Sequence, residues 1–160
     1  MDEPKKIKIS NPEVALAKAE HFCAYQERSQ QEVRDKLYEW GLWPDAVEQT
    51  ISRLIEGGFL NEDRFAKAYV KGKFSQKAWG KIKIKQGLKL KRVPDVLIKK
   101  ALLTIDLDDY MTALTRLLEK KATMVIEKNE FKRRYKLQQY AMSRGYEADL
   151  IAEVLKNSDL

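Results

Sequence analysis

One pattern occurs three times along this chain and restricts what it can fold into. Val33, Leu37, Gly41 and Leu42 form an apolar pair four residues apart, then a stop, then a further apolar residue; Ile84, Leu88, Arg92 and Val93 repeat the spacing, as do Leu137, Ala141, Gly145 and Tyr146. An i, i+4 apolar pair closed by glycine describes a short helix with a left-handed cap. Arg92 holds the stop position in the middle copy, so that cap must be less favourable or built differently. After each stop comes a second amphipathic stretch, from Pro44 to Ile55, Pro94 to Leu102 and Glu147 to Leu155. The latter two copies align without a gap, whereas the first needs one extra residue near Trp43. Pro44 and Pro94 suit the first turn of a helix.

A longer helical stretch precedes each pair, in Val14 to Tyr25, Arg64 to Lys73 and Tyr110 to Leu118; Leu16, Phe65 and Tyr110 fall at equivalent places, as do Ala19, Ala68 and Ala113. Start signals agree with this division. Ser29 and Glu32 form a capping box, and Asn61 and Asn129 are positioned as caps. The fold expected is therefore all-α: three tandem three-helix repeat units, each of about 45–50 residues, forming an elongated, curved array. The expected boundaries are a flexible segment at 1–12 and units at 13–58, 59–105 and 106–160. The stretch Lys81 to Lys85 alternates like a strand, with Ile82 and Leu90 off the Ile84–Leu88 stripe. The repeat register assigns it to helix.

Charge divides unevenly among these units. Residues 1–63 carry a net −5, residues 64–100 carry +12 with Asp95 as their one acid, and residues 101–160 balance. A lysine-rich block of this kind suits a polyanionic partner, the alternative being a solvated helix face. Lys81, Lys85 and Lys89 form an i, i+4, i+8 row on a helix, where like charges repel. Lys83, Lys91 and Arg92 add to it, and Lys71, Lys73 and Lys77 precede it. Lysine suggests phosphate contact more than base reading. Lys132, Arg133 and Arg134 form a smaller cluster, partly offset by Glu127 and Glu130. Trp79, inside the block beside Gly80, either stacks on a base, anchors a protein contact or packs locally. Trp40 and Trp43 flank a helix stop and read as corner packing.

Catalytic and metal chemistry find little support. His21 is the one histidine and Cys23 the one cysteine; two positions apart on a helix, they face different ways. A zinc site needs a cluster of ligands, and a phosphate-binding loop needs an earlier glycine than Gly80 and a hydroxyl residue after Lys81. Asp108–Asp109 and Glu62–Asp63 stand at helix starts and suit the helix dipole. No cofactor or metal is expected. A lone cysteine, no apolar run of membrane-spanning length and a charged N-terminus give the expectation of a cytoplasmic protein with no membrane partner.

The same residues resemble a known family. Arg28, Ser29, Glu32, Val33, Leu37 and Gly41 are similar to the opening of RecX regulatory proteins. Leu60-Asn61-Glu62-Asp63-Arg64-Phe65-Ala66 resembles that family's most recognisable signature. Gly80, Ile84 and Leu88 resemble its second unit, and Arg144, Gly145 and Tyr146 its third, so the likeness runs over about residues 13–156. It departs at Arg92, where glycine is expected, and at Trp79. The resemblance implies a non-enzymatic protein that lies in the groove of the RecA–DNA filament and inhibits filament growth, ATPase and strand exchange. It also implies contact with single- and double-stranded DNA, weakly or through RecA, and a monomer is the simpler expectation. On this reading the RecA- and DNA-facing residues are the basic-block lysines, Trp79, Arg92 and the Lys132–Arg134 cluster. The rivals are a direct, sequence-non-specific DNA-binding module and an adaptor for acidic protein surfaces.

Overall fold

The computed structural model describes residues 8–160. Among them are nine helices and no strand. α1 (Pro12–Tyr25), α2 (Gln30–Glu39) and α3 (Pro44–Glu56) make the first unit. The second consists of α4 (Glu62–Lys77), α5 (Lys81–Leu90) and α6 (Asp95–Leu102). The third consists of α7 (Leu107–Ala122), α8 (Glu130–Ser143) and α9 (Ala148–Lys156). The strand-like alternation at Lys81–Lys85 is helical. Only Ile84 and Leu88 of α5 reach the core, while Ile82 and Leu90 stay exposed. Of the N-terminal segment assigned to 1–12, residues 1–7 lie outside the described residues; Ile9 is tied to the first unit, its N–H donating to the Trp40 carbonyl at 2.7 Å.

Local chemistry starts these helices where the capping residues stand. Asn11, Ser29, Asn61, Asp106 and Asn129 each accept a backbone N–H in the first turn of the helix that follows, between 2.9 and 3.1 Å. The capping box is half-formed, because Glu32 turns outward and pairs with Lys91 of the second unit at 2.5 Å. Gly41 (φ +92) and Gly145 (φ +97) close their helices in the left-handed region. Arg92 adopts the same conformation at φ 57 without glycine's freedom. Arg92→Gly is therefore expected to stabilise the protein by about 0.5–1 kcal/mol, read as a shift of the urea midpoint. An unchanged or lower midpoint would show that the Arg92 side chain offsets its backbone strain.

Three apolar cores line up in chain order. The first centres on Leu16, Val33, Leu37, Val47 and Leu54, the second on Phe65, Ile84, Leu88 and Ile98, and the third on Tyr110, Leu114, Leu137, Tyr146 and Ile151. Substantial helix-on-helix packing stays within each unit, so the units form a row. The equivalence read for Ala19, Ala68 and Ala113 does not extend to burial: Ala19 is buried, Ala68 exposed and Ala113 between the two. α4 instead buries Phe65, Ala66 and Val70.

The two joints differ in kind. Units one and two meet through polar contacts: Arg64 donates to Glu27 and to the Gly58 carbonyl, and Lys91 pairs with Glu32. Units two and three share apolar packing, since Phe74 and Ile105 lie against both cores. They also complete each other's backbone. Gly80 N–H donates to the Arg144 carbonyl (2.8 Å) and Ile82 N–H to that of Gly145 (3.0 Å). Lys81 N–H donates to the Tyr110 hydroxyl at 2.9 Å, and that hydroxyl donates to Glu147 at 2.5 Å. At the other side of the corner, Arg144 donates to the Lys77 carbonyl (2.7 Å) and the Tyr146 hydroxyl to that of Ala78 (2.9 Å). The orphan groups at the end of α4 and the start of α5 are thus satisfied by the third unit. This explains why Gly80 stands where the other two units carry Ser29 and Asn129: a Cβ there would lie 2.3 Å from the Gly145 carbonyl.

Candidate polyanion-binding cleft

The residues picked out by charge and position differ in exposure and in what they touch. Lys71, Lys77, Lys85, Lys89 and Arg92 are exposed. Lys73 and Lys83 are half-buried and sit over Trp79 at 4.7 and 4.6 Å from its ring centre. Trp79 packs against the second core beneath them. Lys81 lies over the Tyr110 ring at 5.0 Å, and Lys91 is held by Glu32. In the smaller cluster, Lys132 and Arg134 are exposed. Arg133 is engaged by three carbonyls, those of Ala122, Val125 and Leu160, which it ties together at the end of α7.

A second group of unpaired cations lines a cleft between units two and three. A cavity of about 790 Å³ opens there, its apolar lining made by Phe74, Leu117, Met124 and Tyr140. Lys77 enters it from the end of α4, Arg116, Lys120 and Lys121 from α7, and Arg144 from the end of α8, with Asp109 as the one acid. None of these five cations forms an ion pair among the described residues. Lys121 rests over the Tyr140 ring at 4.6 Å. The Arg144 Nε is buried and has no hydrogen-bond partner, while its Nη2 holds the Lys77 carbonyl. Cations in a concave site with apolar walls reinforce one another's field, so the cleft attracts anionic groups more strongly than the same charges on a convex helix. Its width and apolar lining admit more than a single ion.

Only Lys77 belongs both to this cleft and to the residues selected from sequence. Arg116, Lys120, Lys121 and Arg144 were missed because their unit is neutral overall. The available signal was an i, i+4 cationic pair, Arg116 and Lys120, on one face of α7.

His21 and Cys23 are not brought together as a reactive pair. His21 is exposed, and Cys23 is buried in the first core. Burial pushes the Cys23 thiol from its ordinary 9.0 up to about 11, against the opposing pull of Arg28. At pH 8 the folded protein should react with a thiol reagent about a hundredfold more slowly than the urea-unfolded chain, as measured by chromogenic disulfide exchange. Comparable rates would mean that the first unit opens readily. Among the described residues no group of three or more metal-ligating side chains is gathered. No helix there is long and apolar enough to cross a membrane.

The architecture defines a class: a row of three-helix units, two of them welded, with a cationic cleft at the weld. Residues 15–54, 61–102 and 108–155 match, in order, the first, second and third three-helix domains of RecX. The chain belongs to the RecX family. It is similar to the regulatory protein RecX of Clostridium perfringens strain 13, with 30% identity over 131 residues covering 81% of this chain. It spans 61% of the length of that relative. It is also 30% identical to the regulatory protein RecX of Clostridium acetobutylicum over 154 residues, or 94% of this chain and 71% of that protein. The crystal structure of RecX from Lactobacillus salivarius has the same fold, with a TM-score of 0.84 at 23% identity, covering 91% of this chain and 95% of that one.

Proposed function

We propose that this chain is a regulatory protein that binds the RecA–DNA filament and inhibits its growth, its ATPase and its recombinase activity. The observation that carries the reading is the cluster of unpaired cations at the weld, in a chain of the RecX family. Units two and three present Lys77, Arg116, Lys120, Lys121 and Arg144, with the exposed Lys85 and Lys89, toward the phosphates of the filament's DNA. The first unit, net negative and joined by polar contacts, reaches a neighbouring RecA protomer. An array of linked units engages two protomers at once, which raises its effective affinity without any single tight contact. The protein acts as a cytoplasmic monomer and needs no cofactor.

The test is the ATPase rate of cognate RecA on single-stranded DNA, titrated with this protein at fixed salt. Inhibition at substoichiometric amounts, unrelieved by excess DNA, is expected. A second reading, direct and sequence-non-specific DNA binding, is favoured by the same cleft. Inhibition that vanishes when DNA is added, together with steeply salt-dependent binding to bare DNA, would replace the first reading by the second.

A further inference from the structure

The first unit carries an apolar groove of about 510 Å³ between α1 and the end of α2. Phe22 and Trp40 form its floor, packed edge to face with ring centres 6.3 Å apart. Tyr25 stands at one lip, 80% exposed, and Ala17 and His21 continue that side. Together the three aromatics make a contiguous apolar patch, a feature that marks interaction sites.

The rim is cationic although its unit is net negative. Lys18 lies 4.8 Å from the Trp40 ring centre, and Arg28 lies 3.7 Å from that of Phe22. Neither forms an ion pair among the described residues. Arg28 uses only its Nε, on the Phe22 carbonyl at 3.0 Å, which leaves both Nη groups as donors. Lys36 lies 5.8 Å from the Phe22 ring centre and is shared with Glu39. Three acids of this unit are engaged by other cations: Glu13 pairs with Arg53, Glu48 with Arg34 and Glu27 with Arg64.

We infer that this groove docks a short acidic peptide segment of a partner protein, one that carries an aromatic side chain. The aromatic fills the space above Phe22 and Trp40, and carboxylates on either side of it meet Lys18 and the free Nη groups of Arg28. A nucleic acid is a poor occupant, because its extended phosphate backbone would cross the acid-rich remainder of the unit. A peptide with a few carboxylates feels mainly the local cations, since at physiological salt charges beyond about 8 Å are screened. The docking surface lies on a different unit from the cleft and does not depend on the RecA reading.

The test uses the whole chain, labelled with 15N, and a capped peptide of sequence Glu-Asp-Phe-Glu-Asp. Saturable amide shifts are expected at Ala17, His21 and Tyr25, and at the Trp40 indole, with units two and three unmoved. Replacing the peptide's phenylalanine by alanine should weaken binding about fivefold or more, the scale of one buried aromatic contact. Lys18→Glu should weaken it by a similar factor, and the exposed Tyr25→Ala variant supplies a second probe that leaves the core intact. Three results would overturn the inference: shifts confined to the cationic surface of units two and three, no saturable shift at millimolar peptide, or a dimer at high concentration whose interface moves these same residues.

Discussion

Gly80→Ala is expected to lower stability by about 3 kcal/mol or more and to uncouple the third unit from the second. The added Cβ would meet the carbonyl carbon and oxygen of Gly145 at 2.3 Å and the Tyr146 nitrogen at 2.4 Å, all backbone atoms with no rotamer to yield. Relief requires the two units to separate. Separation releases the Gly80–Arg144, Ile82–Gly145 and Lys81–Tyr110 hydrogen bonds together, leaving buried groups without partners. Gly72→Ala is the control: it lies in α4 with nothing within 4 Å of the new Cβ, and it should raise stability by up to about 1 kcal/mol through helix propensity. Urea unfolding followed by circular dichroism reads both. A Gly80→Ala midpoint within error of the parent would mean that the weld tolerates an opening of the two backbones, and that the units are less tightly joined than these distances imply.

The second large effect concerns function. Arg116→Glu combined with Lys120→Glu takes the cleft from net +4 to neutral. Both side chains are exposed and unpaired, so stability should change by less than about 0.5 kcal/mol. Inhibition of the RecA ATPase should nevertheless weaken about tenfold or more, and the dependence of DNA affinity on salt should become shallower by about one unit for every phosphate that is no longer neutralised. Lys85→Glu with Lys89→Glu is the comparison, since it removes the row that the sequence favours. A stronger impairment from that pair would place the DNA-facing surface on α5, whereas full activity in both variants would dissociate inhibition from either cluster.

These variants separate what is local in the sequence from what is not. The helices were legible because their signals act within a few residues. Ser29, Asn61 and Asn129 cap the helices that follow them, and Gly41 and Gly145 take the left-handed conformation at their stops. Arg92, read as an awkward stop, does adopt that conformation. The strand-like alternation at Lys81–Lys85 misleads only over five residues; the i, i+4 spacing of Ile84 and Leu88 decides it, since these two alone of α5 are buried. Gly80 was legible in the family likeness of the second unit but not as a contact point, because its partner belongs to the next unit.

The basic block shows the same limit from the side of charge. Counting along the chain locates the excess between Arg64 and Lys100, yet much of it is used internally: Lys91 on Glu32, Lys73 and Lys83 on Trp79, Lys81 on Tyr110. The third unit balances to zero by count, yet folding gathers Arg116, Lys120, Lys121 and Arg144 on the side facing Lys77.

The sequence by itself determined the helices, their caps, the three-unit division, and the run of positive charge through the middle unit. These follow from hydrogen bonds and apolar spacings that span three or four residues. The tertiary structure alone decided which cations face one shared space and which are spent on neighbours. That outcome depends on how two units dock, and the docking is set by backbone contact between Gly80 and Gly145 and by the Tyr110 hydroxyl joining Lys81 to Glu147. Contacts so distant in sequence leave no periodic trace in it, because each partner residue also satisfies the local rules of its own helix.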